Sequence, residues 1–183
     1  MSENGATADA ETVLRFWFET LEPKDWYTKS DDLDARIAER FEPLYRRVVA
    51  GETAHWRESA GGRLAEIIVL DQLARNMFRD SAEAFAADPL ALALAQEAIR
   101  AGADAELPDE RRAFLYMPFM HSESRRVHER AMTLFADLPG NLEFEIKHKE
   151  IIDRFGRYPH RNAVLGREST PEEREWLAHN EGF

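Results

Sequence analysis

The segment DPLALALAQEAIRAG, residues 88–102, decides the fold class. Asp88 followed by Pro89 is typical of a helix start, because Asp caps free backbone donors and proline at the first helical position needs none. Between this start and Gly102 nearly every residue is alanine or leucine. Such a helix has little polar surface, so we expect it to be buried on several sides.

The residues before this segment continue the helical pattern. Apolar side chains recur every three or four positions in 13–21, 33–48 and 63–79, as one face of a helix requires. Ser30 is predicted to cap the second of these helices. Pro43 lies inside it and is expected to kink or split the helix, because proline removes a backbone donor.

The residues after the segment alternate apolar helical stretches with proline and glycine breaks. A fifth helix is predicted from Pro108 or Asp109, with an interruption at Pro118. Ser122 and Asn141 are predicted to cap the next two helices. No stretch alternates polar and apolar residues over enough positions to predict a strand.

These patterns predict an all-α protein. Residues 1–8 are expected to form a disordered N-terminus, and residues 9–183 a single compact superhelical domain of tetratricopeptide-like antiparallel helix pairs. The pairs at 82–101 and 108–138 have the length of such a helical repeat, although they lack most of its consensus.

The composition narrows the classes of function. The chain has 183 residues, a formal charge of −11 and no cysteine. Absence of cysteine excludes a disulfide scaffold, a zinc ribbon and thiol catalysis, and the acidic balance argues against nucleic acid or an anionic membrane as the main partner. The N-terminal residues lack the features of a signal peptide, so we expect a cytoplasmic protein.

The first unusual segment is DQLARNMFR, residues 71–79. On a regular helix its polar side chains share an arc of about 140°. These side chains are Asp71, Gln72, Arg75, Asn76 and Arg79. They suit oriented hydrogen bonding to a ligand, whereas an ordinary solvated face would contain more lysine and glutamate. A solvated face with an Asp71–Arg75 ion pair remains the alternative.

Two further segments place histidine beside apolar residues. His121 and Glu123 follow a proline break at a predicted helix start, where capping explains the carboxylate but not the histidine. His148 lies on the apolar stripe of its helix. It is either a core-edge histidine with one hydrogen bond or a neutral histidine at the floor of a pocket.

The last segment is RFGRYPHRN, residues 154–162, which is rich in cations although the whole chain is acidic. Arginine binds carboxylate or phosphate through a planar fork. With Gly156 and Pro159 shaping the loop, it is a candidate cradle for an anion. The residues proposed for ligand contact here are Arg154, Arg157, His160, Arg161 and Asn162. Neutralisation of the acidic remainder and capping of helix ends is the alternative.

Other chemistries are less favoured by the sequence. The zinc-protease, dinucleotide, P-loop and serine-hydrolase motifs are absent. A metal site could be imagined from His121, Glu123, His128, His148, Asp153 and His160. Their spacing does not favour one, so no metal and no cofactor are predicted.

Four segments together resemble a bacterial family known only as domain of unknown function nine hundred and twenty-four. They are Phe16–Phe18, the polar segment 71–79, residues 117–123, and the cationic segment 154–162 with its continuation through Glu173. The resemblance spans about residues 11–177. It implies a tetratricopeptide-like all-helical fold and no particular activity, and it implies that the unusual segments are hallmarks of the family.

Three functional hypotheses follow. The first is a groove that binds a small anionic molecule or a peptide carboxylate through the polar segments, with Arg75, Arg79, Arg157 and Arg161 as the clamp. The second is a hydrolase or transferase acting on an ester or phosphoester. In it, His148 or His160 is the general base and Asp71 or Asp153 orients the histidine. The third is a scaffold for protein partners, as degenerate helical repeats often are. The sequence indicates no particular oligomeric state.

Overall fold

A computed structural model describes residues 3–180, with the side chains of residues 9–180. Every regular element in that range is helical, which confirms the all-α prediction. In chain order the α-helices are α1 (Glu3–Arg15), α2 (Asp31–Val49), α3 (Ala60–Ile67), α4 (Ala74–Met77), α5 (Glu83–Ala86), α6 (Asp88–Arg100), α7 (Asp109–Met120), α8 (Arg125–Leu134), α9 (Pro139–Phe155) and α10 (Pro171–Leu177). Disorder is predicted for residues 1–8. The side chains of these residues lie outside the described part of the chain, so this stays a prediction.

Two kinds of short helical turn connect these helices, the wider π turns and the tighter 3-10 turns. The π-helical turns are Phe16–Thr20, after α1, and Ile68–Leu73, between α3 and α4. The 3-10 turns are Pro23–Trp26, Ala54–Glu58, Ala103–Glu106 and Pro159–Arg161. Because the second π turn joins α3 to α4 without a break, residues 60–77 form one rod, which we call the bulged helix.

The bulged helix is the centre of the molecule. Residues 64–71 are all buried, because α1, α2, α6 and α7 pack around them. The helices that follow pack in chain order, α6 on α7, α7 on α8 and α8 on α9. This arrangement brings the end of the bulged helix, the end of α7 and the loop after α9 to one side of the core.

The alanine-rich helix is buried on several sides, as predicted, apart from one exposed stripe. In α6, Ala91, Leu94, Ala95 and Ala98 are buried, whereas Ala93 on the opposite face is exposed. Alanine loses little by facing water because it carries only one methyl group. The helix packs against both α3 and α7.

Four local predictions need correction. Helix α2 runs through Pro43 unbroken, because Pro43 faces solvent and the carbonyl it leaves free can bind water. Helix α7 likewise continues through Pro118 and ends at Met120. The N-cap of α8 is Ser124, not Ser122, and α9 begins at Pro139 rather than after Asn141.

Several predicted helix ends are confirmed. Ser30 caps α2 by accepting from Leu33 N, and Thr170 with Glu173 forms a reciprocal capping box at α10. Gly156 ends α9 with a left-handed backbone, φ 73°, which glycine adopts without strain. Across residues 3–180 no helix combines the length and the apolar character needed to span a bilayer.

Candidate functional site

A cavity of about 580 Å³ lies where the bulged helix, α7, α9 and the loop after α9 meet. This volume suits a small organic molecule. Eight of the residues proposed from the sequence line it: Gln72, Arg75, Asn76, Arg79, His121, His148, His160 and Arg161. The structure therefore brings the four unusual segments to one hollow, although not every residue named in them.

The remaining walls are largely aromatic or methionine side chains. They include Trp26, Tyr27, Phe85, Met117, Met120, Phe144 and Tyr158. Tyr27 and Phe144 are the most exposed of these, with 68% and 50% of their surface accessible. A ligand in this cavity would meet apolar faces on several sides and cations at one end.

Asp71 is the deepest polar residue of the site. It lies in the π turn and is fully buried. Its carboxylate contacts His121 Nδ1 at 2.7 Å and accepts from Gln72 Nε2 at 2.7 Å. Burial opposes ionisation of Asp71, but the charges of His121 and Arg75 and the two hydrogen bonds outweigh burial and hold its pKa below the usual value. The alternative of a solvated face is therefore wrong for Asp71, although its contact with Arg75 is present at 3.6 Å.

Two carboxylates hold the arginines of the bulged helix. Arg75 donates two hydrogen bonds to Asp88, at 2.9 and 3.0 Å, and one to the Asp71 backbone carbonyl. Asp34 accepts from both Asn76 and Arg79. Burial opposes the charge of Arg75, but Asp71 and Asp88 raise its pKa above that of a free guanidinium.

Arg161 differs from these arginines because its positive charge is poorly compensated. Its side chain is 7% exposed, and its Cζ lies 4.5 Å from the Phe85 ring centre and 4.6 Å from that of Tyr158. Its one carboxylate contact is a 3.3 Å bond to Asp88, which Arg75 already engages with two bonds. Burial first, and the Arg75 charge second, lower the pKa of Arg161.

Two buried nitrogens of the loop have no hydrogen-bond partner among the described residues. They are Nε of Arg161 and Nδ1 of His160, both from residues that line the cavity. Buried polar atoms in folded proteins are normally paired, with protein, water or ligand. A polar group brought by a ligand or a water could pair them.

The two histidines proposed as general bases are held neutral. Burial is the main cause that lowers the pKa of His148 to about 3, and burial and the Arg161 charge lower that of His160 to about 4. His148 Nδ1 donates to the Phe144 carbonyl at 2.7 Å. His148 therefore lines a pocket as a neutral ring, the second of the two roles considered for it.

Besides Asp71, which lies behind the lining, five of the proposed residues lie outside the cavity. Arg157 donates to Glu173, and Arg154 donates to exposed Glu172. Asn162 is buried against Ser169 and Glu173. Arg154, Arg157 and Asn162 therefore hold α10 in place and do not form an anion clamp. The expectation that Arg157 belongs to such a clamp is wrong.

The two remaining carboxylates are also bound elsewhere. Glu123 accepts two hydrogen bonds from Arg167 and one from the Tyr158 backbone N–H. Asp153 pairs with Lys149 on the exposed side of α9 and orients no cavity histidine. The sequence shows that these charges exist, but the partner of Glu123 lies 44 residues away, whereas Asp153 pairs within its own helix.

The sequence analysis missed four contributors to the site. The sequence pattern at Asp88 predicts a helix cap, yet Asp88 is the carboxylate that Arg75 and Arg161 share. Phe85 and Tyr158 stack on Arg161, and Lys29 also lines the cavity. Tyr158 lies within the cationic segment, so its position was the one usable signal. Within the described residues no three His, Asp or Glu side chains converge as metal ligands.

Comparisons with known proteins agree with this fold. A family model described as a bacterial protein of unknown function (DUF924) matches residues 13–181. The structure of a protein of unknown function from Agrobacterium tumefaciens is similar, with 39% sequence identity and a TM-score of 0.92. That similarity covers 96% of this chain and 99% of the other. No curated protein matches the chain significantly.

Proposed function

Because the chain belongs to the family described as bacterial protein of unknown function (DUF924), whose description names no activity, we propose a function from the site itself. The cavity binds a small organic anion, or a peptide carboxylate, that carries a flat apolar part. The observation that carries this proposal is Arg161, a buried guanidinium that lines the cavity and has only part of one carboxylate to balance its charge.

An anionic group in contact with Arg161 would supply the missing charge. Transfer of an ion into a buried site is unfavourable unless it is paired. Among the described residues the Arg161 guanidinium has one bond to a carboxylate, at 3.3 Å to Asp88, and one to the His121 backbone carbonyl. The neutral ring of His160 beside Arg161 adds no competing positive charge. A carboxylate or phosphate could also accept from the unpartnered Nε of Arg161.

The apolar walls favour a ligand with an aromatic or similarly flat part. Phe85 and Tyr158 already stack on the guanidinium, and Trp26 and Phe144 border the same hollow. Aromatic side chains contribute most to small-molecule binding when they bury a matching apolar surface. Benzoate and phenyl phosphate are therefore suitable first probes.

The scaffold hypothesis is less well supported. A groove that binds protein chains by apolar contact would expose a continuous apolar face, whereas this cavity mixes aromatic rings with four cations, Lys29, Arg75, Arg79 and Arg161. We propose neither nucleic acid nor a membrane as partner, because the chain as a whole carries −11. The proposed location is the cytoplasm, which cell fractionation can test.

Isothermal titration calorimetry with benzoate and phenyl phosphate tests the proposal. We expect the wild-type protein to bind at least one of them, and Arg161→Gln to weaken binding roughly 10- to 100-fold, the loss typical of one charge-assisted hydrogen bond. Arg154→Gln is the matched control, because Arg154 lies outside the cavity and pairs with exposed Glu172.

Two results would contradict it. One is that neither probe binds to the wild-type protein at millimolar concentration. The other is that both arginine variants weaken binding equally, which would indicate attraction to the protein surface in general. A thermal melt of each variant shows whether it is folded before it is titrated.

A further inference from the structure

Asp71 and His121 form a pair whose geometry the binding proposal does not use. The Asp71 carboxylate is fully buried and lies 2.7 Å from His121 Nδ1. A carboxylate can only accept, so in the neutral ring the proton sits on Nδ1 and the lone pair on Nε2. Among the described residues no hydrogen bond is formed to Nε2, and His121 lines the cavity.

The surroundings hold this pair in place. Gln72 Nε2 donates to the second oxygen of Asp71 at 2.7 Å, which favours the orientation in which the first oxygen faces the histidine. Arg161 Nη2 donates to the backbone carbonyl of His121 at 3.0 Å, which ties the end of α7 to the guanidinium. The general base and the group that would stabilise negative charge therefore share one hollow.

We propose that His121 is the general base of a hydrolytic site for carboxylic esters that carry an anionic group. The inference rests on the proposed function, because the same cavity must first bind the anion. His121 Nε2 takes a proton from a water molecule, whose oxygen bonds to the ester carbonyl carbon. The carbonyl oxygen becomes negatively charged beside Arg161. The carbon–oxygen bond to the alcohol then breaks, and the alcohol leaves with the proton from His121.

In this site Asp71 is a positioning residue. It selects the Nδ1–H form of the ring and stabilises the positive charge that His121 carries after it takes the proton. Its own ionised state is supported by the nearby Arg75 charge and by the hydrogen bond from Gln72. The other two cavity histidines, His148 and His160, are weak bases at neutral pH, because burial lowers the pKa of each ring.

The test uses two activated esters, mono-4-nitrophenyl succinate, which is anionic, and 4-nitrophenyl acetate, which is neutral. We expect wild-type protein to hydrolyse the succinate ester with a larger kcat/KM than the acetate ester. His121→Gln should lower kcat about 100-fold with little change in KM, since general-base catalysis contributes roughly 100- to 10,000-fold. His179→Gln is the matched control, because His179 is exposed and bonds only its own helix end.

Further variants separate the roles. Asp71→Asn should lower kcat with KM unchanged, because the amide can stabilise the wrong ring tautomer. Added imidazole should restore part of the activity of His121→Ala, which a purely structural role of His121 would not allow. If a variant melts below the assay temperature, this imidazole rescue measured at lower temperature still decides the question.

Three outcomes would overturn the proposal: no hydrolysis of the succinate ester above the buffer rate, a rate that His121→Gln leaves unchanged, or a stable acyl group on His121 in the mass spectrum. The last would identify a nucleophile instead of a base. Benzoate binding measured by calorimetry is independent of these rates. Binding of benzoate or phenyl phosphate without turnover defeats the catalytic proposal alone, and failure of both probes to bind defeats the binding proposal as well.

Discussion

At the scale of single residues, the proposed binding site depends on which charged side chains have a partner of opposite charge. Arg75 and Asp88 form a two-bond pair, and Asp34 holds Arg79, so these arginines are largely neutralised. Arg161 receives only the remainder of Asp88. A single residue thus makes this end of the cavity electropositive within an acidic protein.

The buried histidines give the first prediction, on the pH dependence of stability. His148 and His160 have pKa values lowered to about 3 and 4 in the folded protein, mainly by burial, against about 6.5 when unfolded. The full contribution of these two neutral histidines to the free energy of unfolding is present above pH 6.5. It is lost as pH falls, because the unfolded chain then binds more protons. Between pH 6 and 5 we expect each to lower the free energy of unfolding by roughly 1 kcal/mol.

Urea denaturation at pH 5, 6 and 7 measures this effect. His160→Gln should reduce the loss between pH 6 and 5 by about one histidine's share, or roughly 1 kcal/mol, whereas His179→Gln should not change it. An unchanged loss in His160→Gln would show that His160 takes up its proton as readily folded as unfolded.

At the level of residues, the sequence predicts a side chain's role correctly where its chemical type limits that role. The prediction fails where the role depends on a partner that is distant in the sequence. Arginine density identified the right loop, and Arg161 with His160 does line the cavity. Arg157 has the same chemistry four positions earlier but meets Glu173. Nothing in the local pattern distinguishes the two, since the direction of each side chain depends on a turn and on a distant helix.

At the scale of elements, the π turn of the bulged helix determines the site. It adds one residue to a turn, so residues after it are rotated by about 100° from a regular helix. Asp71 lies inside this turn, in the core against His121, whereas the regular-helix pattern groups it with Gln72 and Arg75 on the polar face. Hydrophobic periodicity assumes a constant turn and cannot locate such an insertion. The helices themselves were predictable because their apolar stripes are long.

The start of the bulged helix gives the second prediction. A Cβ at position 62 would lie 1.9 Å from the Trp56 backbone oxygen, whereas one at position 61 would meet only the end of the Leu14 side chain at 3.4 Å. Gly62→Ala should therefore lower Tm by at least about 5 °C, since relief requires a backbone shift costing roughly 2 kcal/mol or more. Gly61→Ala should leave Tm unchanged or raise it, because alanine favours helix by up to about 1 kcal/mol.

Differential scanning calorimetry of the two neighbouring variants tests this packing directly. Equal melting temperatures for Gly61→Ala and Gly62→Ala would mean that α3 does not approach the Ala54–Glu58 turn as closely as described.

At the scale of the whole molecule, charge is distributed unevenly. The chain carries −11, yet four cations and one carboxylate, Asp80, line the cavity. Salt screens surface charges over about 8 Å at physiological ionic strength, so the acidic exterior hardly opposes a small anion inside. A large polyanion would have to approach the acidic surface itself. The fold therefore suits a small charged ligand. Composition alone could suggest such a ligand but could not show where it binds.

The most direct measurement is the anomalous diffraction of crystals soaked with 4-bromobenzoate, in which bromine marks the ring and the carboxylate seeks a cation. The account predicts one strong bromine peak inside the cavity, near the aromatic walls, with the carboxylate within hydrogen-bond distance of Arg161. Bromine found only on the outer surface, with the cavity filled by water at a saturating concentration of the probe, would contradict it.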